Sequence, residues 1–140
     1  MGNPKIAWVR NTFADHASHS NDPEHILDLV IASWKEIDRV LRPIIGKGGI
    51  DALFHRSIEG VAPAYPWLAA ASADAHSAMN IDVLHQVLSK EDASHFAGAS
   101  DTLLLHFYSL LTNLIGLSLT DRLLRPVLDP LLNGTAIKDI

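Results

Sequence analysis

Residues 22–41 read Asp22-Pro-Glu-His-Ile-Leu-Asp-Leu-Val-Ile-Ala-Ser-Trp-Lys-Glu-Ile-Asp-Arg-Val-Leu41. Asp22 suits an N-cap, because its short carboxylate accepts a first-turn backbone N–H. Pro23 suits the first helical position, where no N–H is needed. Ile26, Leu27, Val30, Ile31, Trp34, Ile37 and Leu41 then follow at spacings of three and four. That is the period of one helix face, so the stretch predicts an α-helix with a single apolar stripe. Pro43 and Gly46-Lys47-Gly48-Gly49 are expected to end it.

The chain on either side follows the same pattern. It carries no alternating runs rich in Val, Thr and Tyr, and no Asn-Gly pair between two such runs. A second helix is expected from about Ile50 to Ala62, with Leu53, Phe54, Ile58 and Val61 inward and Pro63 and Pro66 as stops. Asn80 caps a third, which turns Ile81, Leu84, Val87 and Leu88 inward. Residues 69–78 receive no assignment, and residues 91–100 read equally as helix or loop. A fourth helix is expected near Asp101, burying Leu103, Leu104, Phe107, Leu110, Leu111 and Leu114. Ser118-Leu-Thr-Asp121 has capping-box spacing. It opens a fifth helix through Leu123, Leu124, Val127 and Leu128, which Pro126 would kink and Asn133-Gly134 would end. The fold class is therefore all-α: a single-domain bundle of about five helices over residues 23–134. A partly ordered segment (1–22) precedes it and a loose tail (135–140) follows.

An internal repeat runs through this pattern. Leu41-Arg-Pro-Ile-Ile-Gly46 and Leu111-Thr-Asn-Leu-Ile-Gly116 align at an offset of 70 residues. The register continues, with Asp51 on Asp121, Leu53 on Leu123 and Phe54 on Leu124. The shared unit is a helix end, a Gly stop, a spacer and an acidic residue opening the next helix. It predicts a duplicated helix-turn-helix, with Leu41 and Leu111 buried and both glycines at positive φ.

Composition excludes several classes of protein. The 140 residues are 48 % hydrophobic and 19 % charged, too apolar for intrinsic disorder. No Cys is present, so there is no disulfide framework, thiolate zinc site or Cys nucleophile. Eleven Lys and Arg are scattered against 16 Asp and Glu, for a net charge of −5. No basic field forms, and nucleic acid is not an expected partner. Met1-Gly-Asn-Pro-Lys5 is not followed by an apolar signal region, and a cytoplasmic location is expected. Thr102 to Thr120 is uncharged and long enough to span a bilayer. Its His106, Ser109, Thr112, Asn113, Gly116 and Ser118 read instead as a buried helix and a turn, and no membrane association is expected.

Ile44-Ile-Gly-Lys-Gly-Gly49 resembles the GXXG loop of KH domains, which clamps a nucleic-acid backbone. That resemblance implies a sheet for which the chain has no strands, so Gly46, Gly49 and Gly116 are read as structural turns. His55 lies off its helix's apolar stripe, beside Arg56 and Glu59. A His displayed on a helical bundle resembles the phosphoacceptor of histidine phosphotransfer domains, which would make His55 an alternative phosphoacceptor. The text His55-Arg-Ser-Ile-Glu-Gly60 departs from that family, with Glu59 where a cation is wanted. Asp precedes His by three residues at Asp22/His25, Asp82/His85 and Asp92/His95. On a helix this spacing places a carboxylate and an imidazole on one face, as in metal-binding bundles. His16, His19 and His25 are the weak candidate ligands, and neither a metal nor another cofactor is expected. No Ser stands in a G-x-S-x-G elbow, and no catalytic residue is assigned.

By exclusion, the expected function is a non-catalytic interaction or signalling module. Alternatives are phosphotransfer through His55, and a sensor bundle for a small molecule or metal. The C-terminal half is apolar on more than one side, which predicts a homodimer with Leu105, Tyr108, Leu114 and Leu119 at the interface, besides an unidentified protein partner. The eight His residues add a solution prediction. Protonating all of them moves the net charge from −5 to +3. Imidazoles titrate near pH 6.5, so electrophoretic mobility should change sign between pH 7 and pH 5 if most are solvated. A protein still anionic at pH 5 contradicts that.

Overall fold

In the computed structural model, which describes residue 13 and residues 22–72 and 80–133, helix α1 spans Pro23–Val61. Asp22 caps it, accepting the Glu24 N–H at 3.1 Å. A 3-10 helix, Pro66–Ser72, follows. Then come α2 (Ile81–Ser89), α3 (Ala93–Ile115) and α4 (Leu117–Asn133), with no strand among the described residues. The domain is all-α.

Helix α1 is a hairpin. Gly46 interrupts it at φ 78°, ψ 166°, a region essentially reserved for Gly. Trp34 and Phe54, on opposite sides of Gly46, have ring centroids 5.4 Å apart. On one straight helix they would be about 30 Å apart. The outgoing arm (23–45) therefore folds back into the return arm (47–61). The same happens at Gly116, which caps α3 at φ 92°, ψ 152°. There Tyr108 on α3 donates its hydroxyl to Asp121 on α4 at 2.9 Å. Gly46 and Gly116 are the glycines at positive φ among the described residues.

The duplication extends well beyond the segments that reveal it in sequence. Asp92 caps α3 as Asp22 caps α1, again 70 residues apart. Equivalent positions are buried in both copies: Ile26 and Phe96, Trp34 and Leu104, Ile37 and Phe107, Leu41 and Leu111, Phe54 and Leu124, Ile58 and Leu128. Pro23 and Leu27 line the same cleft as Glu91 and Phe96, so the first turns of the two long helices lie together. Farther along, Trp34 meets Phe107 edge-on at 5.2 Å. The outgoing arm and α3 therefore run parallel, and Gly46 and Gly116 sit at one end of the bundle. Two parallel hairpins that turn the same face to a shared core are related by an approximate two-fold axis along the bundle.

Two glycines permit close approach, Gly60 between the hairpins and Gly98 against the connection that follows the first. A Cβ on Gly60 would lie 2.9 Å from His106 Nδ1, and one on Gly98 would lie 3.4 Å from the Tyr65 hydroxyl. Buried hydroxyls bond back along their own helices: Ser33 to the Leu29 carbonyl and Ser57 to the Leu53 carbonyl. Asp101, 6 % exposed, accepts the Phe13 backbone N–H at 2.7 Å. Phe13 is itself fully buried, so the core takes in a residue of the segment before the bundle.

Several expectations need correction. The fourth helix starts at Ala93, not near Asp101, because Asp92 caps it. Pro43 does not end the first helix; it lies inside the outgoing arm, which the burial of Leu41 and the half-burial of Ile45 hold helical past it. Gly49 is no turn. It sits in the first helical residues of the return arm, where a Cβ would meet that of Ile45 at 3.1 Å. Ser118 is not an N-cap, since α4 starts one residue earlier. Asp51 and Asp121 stand fifth in their helices, beyond the first turn. Of the unassigned stretch, 69–72 belongs to the 3-10 helix, and 73–78 lies outside the described residues, as does the 135–140 tail.

Gly46→Val and Gly116→Val should each destabilise the protein by about 1–3 kcal/mol, through backbone strain alone, since nothing lies within 4 Å of either Cβ position. Gly48→Ala, on ordinary helical backbone in equally open space, should be neutral or gain up to about 1 kcal/mol. Urea denaturation of the three variants checks the contrast.

Candidate functional site

His55 lies on the return arm, half-buried, with its Nε2 3.3 Å from Glu59 Oε2. A phosphoryl group on that nitrogen would be set against a carboxylate, and like charges at that range repel. The second copy holds Arg125 in its place. Arg125 binds Asp121 at 3.1 Å, and Asp121 also accepts the Tyr108 hydroxyl. The imidazole is therefore not a shared feature of the repeat.

The Asp-x-x-His pairs turn out to belong to helix starts. Asp92 Oδ1 accepts the His95 N–H and the Ser94 hydroxyl, both at 3.0 Å. The His95 side chain stays near, with Nδ1 3.5 Å from Asp92 Oδ1 and 3.9 Å from Glu91 Oε1. Asp22 and His25 occupy the same two positions at the start of α1, and Asp82 and His85 lie exposed on α2. No group of three metal-ligating side chains forms among the described residues. His25 is exposed, and His16 and His19 lie outside the described residues.

At this cap end a cleft of about 390 Å³ opens between the first turns of α1 and α3 and the end of α2. Leu27 and Phe96 floor it, and Glu24, Asp28, Glu91 and His85 line it. Both long helices present their N-termini here, where the helix dipole favours carboxylates. The acidic lining is accounted for by that preference.

The opposite end, where the hairpins turn, is different. Ile44, Leu114 and Leu119 are the exposed large hydrophobics among the described residues, at 49 %, 59 % and 39 %. All three flank Gly46 or Gly116, and Ile44 and Leu114 are the same position of the two copies. Ile45, Ile115 and Leu117 lie half-buried behind them, packed on the core. Two of the expected interface residues do not belong to this surface. Tyr108 is fully buried, because α4 folds back over it and Asp121 takes its hydroxyl. Leu105 is half-buried and packed against the chain's own core. Ile44 was not among the expected interface residues; its equivalence to Leu114 in the repeat is the signal in the sequence that marks it. Among the described residues no helix is long and apolar enough to cross a membrane.

The cap of α3 gives a pH prediction. The Asp92 carboxyl is held below its ordinary pKa, first by the His95 backbone N–H and then by the Ser94 hydroxyl. A lowered folded-state pKa stabilises fully above the ordinary aspartate value of about 3.9 and is lost as pH falls through the lowered one. Asp92→Ala should therefore lower the melting temperature at pH 7 and lower it less near pH 2. An equal loss at both values contradicts the role of the ionised cap.

No protein-family model matches the chain, and comparisons with curated proteins and with solved structures return no match.

Proposed function

We propose that this protein is a non-catalytic helical interaction module of the cytoplasm, acting as a homodimer through the end of the bundle where its two hairpins turn. One observation carries the reading: the large hydrophobic side chains exposed among the described residues all gather at that end. Scattered exposed aliphatic residues are ordinary on protein surfaces, whereas apolar groups collected in one place mark an interaction surface. The His55 imidazole faces Glu59, which opposes phosphotransfer. The acidic cleft is explained by helix starts.

Sedimentation equilibrium of the purified chain at up to several hundred micromolar tests the reading. Weak interfaces dissociate in that range. The wild type should show a reversible monomer–dimer equilibrium. Leu114→Glu combined with Leu119→Glu should abolish it with an unchanged circular-dichroism melt, because both side chains already face solvent. A wild type that stays at 15.3 kDa throughout overturns the homodimer.

A further inference from the structure

We infer that two copies meet hairpin end to hairpin end, with their bundle axes in line and Ile44 of the first hairpin inside the contact. This rests on the homodimer reading and adds the arrangement and the part of the first hairpin. Three observations support a second copy as the occupant of this face, and a fourth sets the strength of the contact.

The first is symmetry. Ile44 and Leu114 are equivalent in the repeat, and the approximate two-fold axis leaves the molecule between them. Turning a second copy over onto this end gives two registers. Ile44 faces either Ile44 or Leu114 of the other copy, and both registers set aliphatic against aliphatic. An isologous contact requires that kind of self-complementarity.

The second is charge. The cations at this end are neutralised within the chain: Arg42 binds Asp38 at 2.9 Å, and Lys47 binds Asp51 at 2.9 Å. Around the other turn the sequence from Thr102 to Thr120 carries no Asp, Glu, Lys or Arg. Apart from exposed Arg122 on α4, the described charges near this end are paired within the chain, so little repels a second copy or selects a strongly charged partner.

The third is the side of the bundle. With Tyr108 covered by α4 and Leu105 packed on its own core, the described residues of the α3–α4 flank expose none of the apolar side chains that were expected to form a side-by-side dimer there, apart from those at the turn.

The fourth is area. Helices packed 8–10 Å apart give a four-helix end roughly 20 Å across, so a pair buries about 800 Å² in total. Stable interfaces bury roughly 1,200–2,000 Å², so this contact should be weak and reversible.

The test separates this arrangement from the homodimer reading. Ile44→Glu and Leu114→Glu should each weaken dimerisation at least tenfold in Kd, and the milder Ile44→Gln should weaken it less. Both exposed positions should leave the melt unchanged. Because the chain has no Cys, single cysteines report proximity cleanly. Ile44→Cys and Leu114→Cys, each alone and the two mixed, should give a covalent dimer with a short bismaleimide in at least one pairing. Lys90→Cys, beside the cleft at the opposite end, should give none. A dimer that Leu114→Glu breaks and Ile44→Glu leaves intact overturns the end-to-end arrangement while keeping the homodimer. So does the absence of cross-linking in all three pairings. A monomeric wild type overturns both.

Discussion

The indole of Trp34 holds the two hairpins in one core. It meets Phe54 of its own return arm at 5.4 Å and Phe107 of the second hairpin at 5.2 Å, edge-on in both cases. Edge-on aromatic pairs contribute about 0.5–1.5 kcal/mol each beyond the burial of their surface. Among the described residues Trp34 Nε1 has no hydrogen-bond partner, and an unsatisfied buried donor costs about 1–3 kcal/mol. Ring packing and the burial of a whole Trp side chain outweigh that. The contact is available only because Gly46 turns the chain back within a single residue. The backbone of one glycine and the ring of one tryptophan are thus parts of the same constraint.

The first hairpin was largely legible in the sequence, and the second only partly so. Residues 22–41 carry every signal at once: cap, Pro and a stripe at helical spacing. Residues 93–100, Ala-Ser-His-Phe-Ala-Gly-Ala-Ser, form the start of α3 with little apolar period, since Ala97, Ala99 and Gly98 give close approach rather than bulk. Two clues to that start were present, the Asp-x-x-His spacing and the offset of 70, and each gains its meaning from the other. Tyr108 was misread for a different reason. Local periodicity places it off the main stripe, and only the return of α4 brings Asp121 to its hydroxyl. Such a contact is tertiary and leaves no trace in the spacing of its own helix. The exposure of Ile44 and Leu114 is equally tertiary, set by where each hairpin turns.

The two copies differ most where they face solvent and are alike at most, though not all, positions that face the core. Lys47, Gly49 and His55 of the first hairpin stand as Leu117, Leu119 and Arg125 in the second. Most positions buried in both copies stay apolar, but Ser100, Asp101 and Thr120 stand where the first copy has Val30, Ile31 and Ile50, and Leu103 stands where it has Ser33; Thr120 returns its hydroxyl to the Gly116 carbonyl at 2.8 Å. The second turn is thereby free of charge and richer in leucine. The first keeps its cations tied to neighbouring carboxylates. Both changes lower the electrostatic cost of covering that end.

The opposite end carries the contrary character, and the length of the helices keeps the two apart. Asp22, Glu24, Asp28, Glu91 and Asp92 cluster around the starts of α1 and α3, where the helix dipoles favour them. Helix α3 has 23 residues, about 35 Å from end to end. Two copies joined at their hairpin ends would hold these acidic ends about 70 Å apart, against a Debye length of about 8 Å at physiological salt. A net charge of −5 on each chain therefore does not oppose the pairing. A contact through the cap end would bring the same carboxylates together. The distribution of charge along the bundle thus favours association through the end where the chain turns on its two glycines.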